Sequence, residues 1–351
     1  MQTDTTTSNT NVVALDTWKR LYELASMVRK MEPWLGMKED NLFGVKDPEN
    51  GNTVFVSVMG TLGEYFAIAV YPGAKALGQF WQMHDSRIGQ DRADVLMGVQ
   101  HVQAVFGKKS ELDRVEKQRV AELGITCKGS NAWPRFLSFK PSWFSWPVDA
   151  QEARWLELAL EQLLEVAPRV QKDQHLLGTG GPEQRYLIRE RTADGHPSLW
   201  RDMHETCPPP QTTYRISIPN ALLDSVRTLP PNKMTIELDV FPSYTRVGKR
   251  GERPRTPYML LAAESTSRFV LGVELLTTDD TIEDLWAQVP ATFLKLLQRN
   301  QVRPTCLAIG TYHVFMVMES LCKELGIAIK PDPKLKAIRE ARRGFEEFKR
   351  R

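Results

Sequence analysis

The chain is 351 residues long, which exceeds the usual size of one domain and predicts two. Its composition, 42% hydrophobic and 25% charged, is that of a globular protein, and no apolar run nears the roughly 18 residues that span a bilayer, which argues against a membrane protein. Net charge is only +3, but residues 246–255 ("RVGKRGERPR") carry +4 and the last eighteen residues +5, leaving about −6 for the remainder.

The polar opening "MQTDTTTSNTN" (1–11) has no basic segment leading into an apolar one, so it is read as a disordered tail and not a secretory signal. "LDTWKRLYELASMVRKM" places Leu15, Trp18, Leu21, Tyr22, Ala25, Val28 and Met31 at helical spacing. "NTVFVSVMG" and "EYFAIAVY" read as a hairpin joined by "TLG". Helical patterns are then expected near 74–84, 91–106 and 110–124. "NAWPRFLSFKPSWFSWPV" (131–148) mixes tryptophans and phenylalanines with prolines that forbid a regular helix. It predicts an extended aromatic segment, with Trp133, Trp143 and Trp146 as hydrophobic plugs or as a surface for a protein partner. A helix over 149–167 starts after Asp149, with Glu152 completing a capping box. "GTGG" at 178–181 lacks the lysine and helix of a phosphate loop and reads as a turn. His196, Asp202, His204 and Cys207 match no metal-ligand spacing, so this stretch reads as a polar linker. "CPPP" at 207–210 is the strongest break, dividing an α+β N-terminal domain (12–207) from a second domain (208–351).

In the second half "MTIELDVFP", "PYMLLAAES" and "RFVLGVELL" are strands, and alternation puts Glu237 and Asp239 on one face. "TIEDLWAQVPATFLKLLQRN" is a helix that Pro290 should kink or break. "TCLAIG" is a buried strand and "YHVFMVMESLCKELG" a helix with Gly326 as its left-handed cap. "IAIK" and "LKAIREARRGFEEFKRR" complete a β-β-β-α-β-α-β-α order, an α/β class with a mixed five-stranded sheet and flanking helices. The scattered cysteines Cys127, Cys207, Cys306 and Cys322 form no C-x-x-C pair, which predicts reduced thiols and a cytoplasmic setting.

That order is the ribonuclease-H-like one, and 234–351 resembles the catalytic core of retroviral-type integrases and DDE transposases. "IELDVF" is similar to their first strand, with Asp239 at the first metal-binding aspartate. "LLAAESTSRFVLGVEL" resembles their hairpin, and "RPTCLAIGTYHVFMVMESLCKELGIAIKP" their fourth strand, next helix and fifth strand. "FEEFKR" places Glu346 or Glu347 at the family's glutamate, 36 residues after Gly310 in the case of Glu346. The family's second aspartate, at the end of the fourth strand, is Gly310 here. Two-metal phosphoryl transfer needs clustered carboxylates, so the resemblance implies a core with an incomplete catalytic set. Only Glu237 or Glu264 could make up the deficit. The whole chain also resembles a two-part family of bacterial proteins of unknown function, through "TWKRLYELA" with "EPWLGM", "VSVMGTLGEYFAIAVY", "AWPRFLSFKPSWFSWPVDAQEARWLELALEQ", "ELDVFP" and "RPTCLAIG".

Three functional expectations stand side by side. The first is a non-catalytic protein that binds DNA or RNA, or a nucleoprotein, with no cofactor. Phosphates would be met by Arg246, Lys249, Arg250, Arg253 and Arg255, and by Arg342, Arg343, Lys349, Arg350 and Arg351. The second is a magnesium- or manganese-dependent nuclease or strand-transferase using Asp239, Glu237 or Glu264, and Glu346 or Glu347. The third is a scaffold binding a protein partner through Trp133, Trp143 and Trp146. Oligomeric state has no sequence signal.

Overall fold

The computed structural model describes residues 12–84, 97–178, 180–192, 199–208, 210–243, 245–278 and 281–350, with the side chains of 346–350 outside that set. The chain divides into two compact units, one of Met1–Trp81, Val99–Lys140 and Ser145–Pro210, the other of Gln82–Gly98, Pro141–Phe144 and Gln211–Arg351. Among the described residues no helix is long and apolar enough to cross a membrane.

The first unit is an eight-stranded mixed sheet. Its strands are β1 (Phe43–Lys46), β2 (Thr53–Met59), β3 (Phe66–Pro72), β4 (His101–Gly107), β5 (Trp133–Phe139), β6 (Trp146–Pro147), β7 (Arg185–Arg191) and β8 (Trp200–Thr206), ordered β6-β5-β4-β3-β2-β1-β7-β8. All pairs are antiparallel except β1 with β7. Helices α1 (Leu15–Met31) and α4 (Ala150–Lys172) contribute Leu21, Val28, Leu156 and Leu163 to one core with Val56, Val70 and Ala104 of the sheet. Burying such a face is the main stabiliser of an amphipathic helix. Helix α2 (Gly73–His84) serves the other face, where Phe80 packs 5.0 Å from Tyr71. Short α3 (Arg114–Glu122) and α4 both begin with capping boxes, Asp113 with Glu116 and Asp149 with Glu152.

Three local expectations change. Residues 101–107 form β4 and not the end of a helix: every residue of the strand is buried, so it lacks the polar-apolar alternation that marks a strand in sequence. The expected polar linker around His204 is the β7–β8 hairpin. It is held by cross-strand pairing and by Asp202, which accepts hydrogen bonds from both Arg169 and Arg189. The aromatic segment is not one extended wrap; half of it is built into strands β5 and β6, with 141–144 belonging to the second unit.

The second unit begins with α5 (Asn220–Arg227) and then a five-stranded sheet: β9 (Pro231–Pro242), β10 (Tyr258–Glu264), β11 (Val270–Leu276), β12 (Arg303–Ile309) and β13 (Ala328–Pro331), ordered β11-β10-β9-β12-β13. The first three strands are antiparallel; β12 joins β9, and β13 joins β12, in parallel. This order and these directions define the ribonuclease-H-like fold. Helices α6 (Ile282–Ala287) and α7 (Val289–Asn300) are separated at Gln288, with Pro290 in the first turn of α7, where its missing N–H leaves nothing unpaired. They pack with α8 (Tyr312–Leu325) on one sheet face, burying Phe293, Leu297, Val317 and Leu321 against Ile236, Leu238 and Leu260. Gly326 closes α8 at φ 66°, a conformation cheap only for glycine. The last helix, α9 (Lys336–Arg350), covers the opposite face through Leu335, Ala337 and Ile338 against Phe241, Leu261, Ala263 and Ala308.

Candidate functional site

Strand periodicity decides what meets α9. On β9, Ile236, Leu238 and Val240 point into the α6–α8 core, so Glu237, Asp239 and Phe241 face α9. Parallel pairing places Ala308 opposite Glu237 and Ile309 opposite Leu238, and one further step sets Gly310 beside Asp239. The two strand ends therefore lie side by side. No carboxylate stands at Gly310, and the space beside it is taken: a Cβ at Gly310 would lie 2.8 Å from Leu335 Cδ1. Leu335 is 3% exposed and holds φ 33°, a left-handed conformation that a leucine keeps only where packing demands it.

Glu237 is 2% exposed and fully engaged elsewhere. Its Oε2 accepts from the backbone N–H groups of Ala337 (2.8 Å) and Ile338 (3.1 Å), the first turn of α9. Leu335, just before that turn, has no side-chain oxygen, so a residue 100 positions upstream supplies the cap. Negative charge there also complements the positive end of the helix dipole. The other oxygen accepts from Ser265 Oγ (3.1 Å) and lies 3.8 Å from Arg268, which also stands 3.7 Å from Glu340 of α9. Glu264 folds back onto its own hairpin turn, accepting from the N–H groups of Ser267 and Thr266. Those bonds hold its carboxyl below the usual carboxylate range. Asp239 is half-buried and accepts from the N–H of Val240. Glu346 and Glu347 belong to α9, but their side chains lie outside the described residues.

Among the described residues the carboxylates are not arranged to hold a magnesium or manganese pair; the side chains of Glu346 and Glu347 lie outside that set. Hard cations need several convergent oxygens, whereas here one carboxylate caps a helix, one closes a turn, and apolar carbon stands against Gly310. Among the described residues no group of three or more His, Cys, Asp or Glu is placed to hold a metal. That includes Asp202 and His204; His196 lies outside the described residues.

The basic loop leaves directly from the end of β9. It is tied into a narrow hairpin by reciprocal bonds between Val247 and Arg255. Segment 141–144 runs alongside: Phe144 N–H donates to the Pro254 carbonyl, Thr256 N–H to the Ser142 carbonyl, and Arg253 Nε to the Phe144 carbonyl. The Arg246 guanidinium lies 4.8 Å from the Phe144 ring centroid, and that of Arg255 4.8 Å from Trp143. Arg342 of α9 lies 3.9 Å over Phe241 at the end of β9. Arg246, Lys249, Arg250 and Arg343 are exposed, and Arg253, Arg255 and Arg342 half-buried. Lys349, Arg350 and Arg351 fall outside the described side chains. Trp133, Trp143 and Trp146 are each half-buried, and Lys109 lies 4.9 Å over Trp133. Leu335 and Phe144 carry no sequence signal for these roles, because each acts through a partner that only the fold brings near.

Residues 18–189 match the family model described as a domain of unknown function, DUF7309, and residues 222–346 match a second, DUF6930. No curated protein matches the chain. Among solved structures, the catalytic core domain of BIV integrase is similar at 21% identity with a TM-score of 0.23, over 32% of this chain and 66% of that one. At that score the superposition adds nothing to the fold, which strand order already defines.

Proposed function

We propose that the second unit is a nucleic-acid-binding module on a ribonuclease-H-like scaffold that does not carry out metal-dependent phosphoryl transfer. The observation that carries this reading is the gathering of cationic side chains at one place in the fold. The loop with Arg246, Lys249, Arg250, Arg253 and Arg255 departs from the end of β9, and Arg342 reaches that same end from α9. Lys249 and Arg250 stand at the exposed tip, turned by the bond from Glu252 N–H to the Lys249 carbonyl. Exposed cations grouped in this way suit a phosphate backbone, which gives affinity without base readout. The filled position beside Gly310 and the capping role of Glu237 support the absence of a metal-bridging pair.

Fluorescence anisotropy with labelled DNA and RNA tests the reading, with and without manganese. Submicromolar binding at low salt, lost in a Lys249→Ala/Arg250→Ala/Arg343→Ala variant and giving no cleaved product, is the expected result. Product appearing only with manganese would revive the nuclease. Failure to bind any nucleic acid would turn attention to protein partners.

A further inference from the structure

We infer that the short pairing of 142–144 with 254–256 is a latch that opens locally, releasing the cationic loop at its root while β9 and β10 stay folded. Its two hydrogen-bonded rungs are half made. Phe144 N–H donates to the Pro254 carbonyl, but Pro254 has no N–H to return the bond. Arg253 Nε reaches the Phe144 carbonyl instead, at 2.9 Å. Thr256 N–H donates to the Ser142 carbonyl at 2.8 Å, and among the described residues no bond returns from Ser142 N–H to Thr256. Regular antiparallel rungs exchange both bonds, so this pairing keeps half of its backbone bonds. Neighbouring β9 and β10 differ: their register is unbroken from Pro242 opposite Tyr258 to Ile236 opposite Glu264, and Leu238 and Leu260 are fully buried.

Closing the latch is also costly. The antiparallel bridge between Trp143 and Arg255 sets Ser142 opposite Thr256, so these two side chains project from the same face. Both residues are buried, and among the described residues neither hydroxyl has a hydrogen-bond partner. A hydroxyl taken out of water without a partner forfeits its hydration. Ser142 also holds φ 68°, a left-handed conformation that is unfavourable for a residue with a Cβ. The approaches of Arg246 to Phe144 and of Arg255 to Trp143, each 4.8 Å to the ring centroid, favour the closed state. Opening returns both hydroxyls to water and relaxes Ser142. The strain is thus concentrated on one rung, and that rung sits where the loop leaves the sheet.

Amide hydrogen exchange on the full chain, read residue by residue by NMR, tests the inference. The Phe144 and Thr256 amides are expected to exchange at least about a hundredfold faster than those of Leu238 and Leu260, through an opening that urea barely promotes. Thr256→Val removes one unpaired hydroxyl and keeps the branched shape, so exchange at Phe144 should slow about tenfold. Ser142→Gly, which suits φ 68°, should slow it more than Ser142→Ala does. Should a variant fail to fold, the rates of the unaltered protein decide alone. Phe144 and Thr256 exchanging as slowly as the sheet core would overturn the inference, because the segment would then open only with the whole unit. Faster exchange at Phe144 in Thr256→Val would overturn it as well, since that hydroxyl would then be paired through an ordered water and hold the latch shut.

Discussion

Glu237 Oε2 lies 2.8 Å from the amide nitrogen of Ala337, so a buried carboxylate two residues before Asp239 on β9 is the cap of the helix that covers it. The carboxylate on β9 and the helix at the chain end meet across one sheet face as a cap and its helix. Charge that could have gathered cations instead binds two backbone donors, a serine hydroxyl and a neighbouring arginine.

Removing that cap should be costly. Glu237→Ala leaves two N–H groups and the Ser265 hydroxyl without their acceptor in a buried place, an expected loss of about 3 kcal/mol. Glu237→Gln keeps an acceptor but loses its charge, and should cost about 1 kcal/mol. Urea unfolding of both variants measures the difference; equal losses would show that the retained acceptor contributes nothing and the charge everything.

Gly310 and Leu335 should behave as a coupled pair. Gly310→Ala places a methyl 2.8 Å from Leu335 Cδ1 and should cost about 1–3 kcal/mol through overpacking. Leu335→Ala should cost about 2–4 kcal/mol through the cavity it leaves. Combined, the double variant should be more stable than the sum of the two, because the new methyl occupies vacated space. Additive losses in a double-mutant cycle would mean that the two side chains do not compete.

A pH dependence should come from His101 in the first unit. Its Nδ1–H donates to the Val99 carbonyl at 2.9 Å, and its Nε2 accepts from the Gln103 amide at 3.0 Å. The ring stacks on Phe139 with centroids 4.4 Å apart, and burial pushes its pKa down to about 4. An unfolded histidine titrates near 6.5, so as pH falls the unfolded chain takes up the proton first. Stability from this group is complete above about pH 6.5 and lost progressively towards pH 4, by about 3 kcal/mol in all. His101→Gln should flatten the dependence of the urea midpoint over that interval; an unchanged slope would contradict the assignment.

Arg154 should be indispensable to the first unit. Asp47 is fully buried, and burial alone would raise its pKa. Bonds from Arg154, from the Glu49 N–H and from Asn50 outweigh that and hold the carboxyl below the usual range. Arg154→Met strands the charge and should cost about 3–5 kcal/mol at neutral pH. Because Asp47 is more acidic when folded, the penalty should shrink as pH falls through the carboxylate range. Denaturation of the variant at pH 7 and pH 4 checks both statements.

How much of this was legible in the sequence depended on whether the signal was local. Alternation along "IELDVF", the glycine closing α8 and the proline at the α6–α7 junction are local signals, and signals of this kind gave the chain order of elements in the second unit. Strand β4 was not legible because "HVQAVFG" is buried on both faces and resembles a stretch of core helix. The β7–β8 hairpin was hidden by exposed polar residues on its outer strand, whose pairing depends on Arg169 and Arg189 reaching Asp202. At the candidate site, Gly310 at the end of the strand was visible in the sequence, and only the resemblance marks it as a place where an aspartate is expected. That Leu335 fills the space, and that Glu237 caps α9, depends on contacts across 25 and 100 positions, which no local pattern encodes.

The central claim concerns the cationic end of the second unit, and the salt dependence of duplex binding tests it most directly. Each phosphate contact should contribute about 0.9 to the slope of log affinity against log salt. A slope near −4 or steeper, reduced by about 3 in the Lys249→Ala/Arg250→Ala/Arg343→Ala variant, is the expected result. A slope near zero, or one that the variant leaves unchanged, would contradict the account.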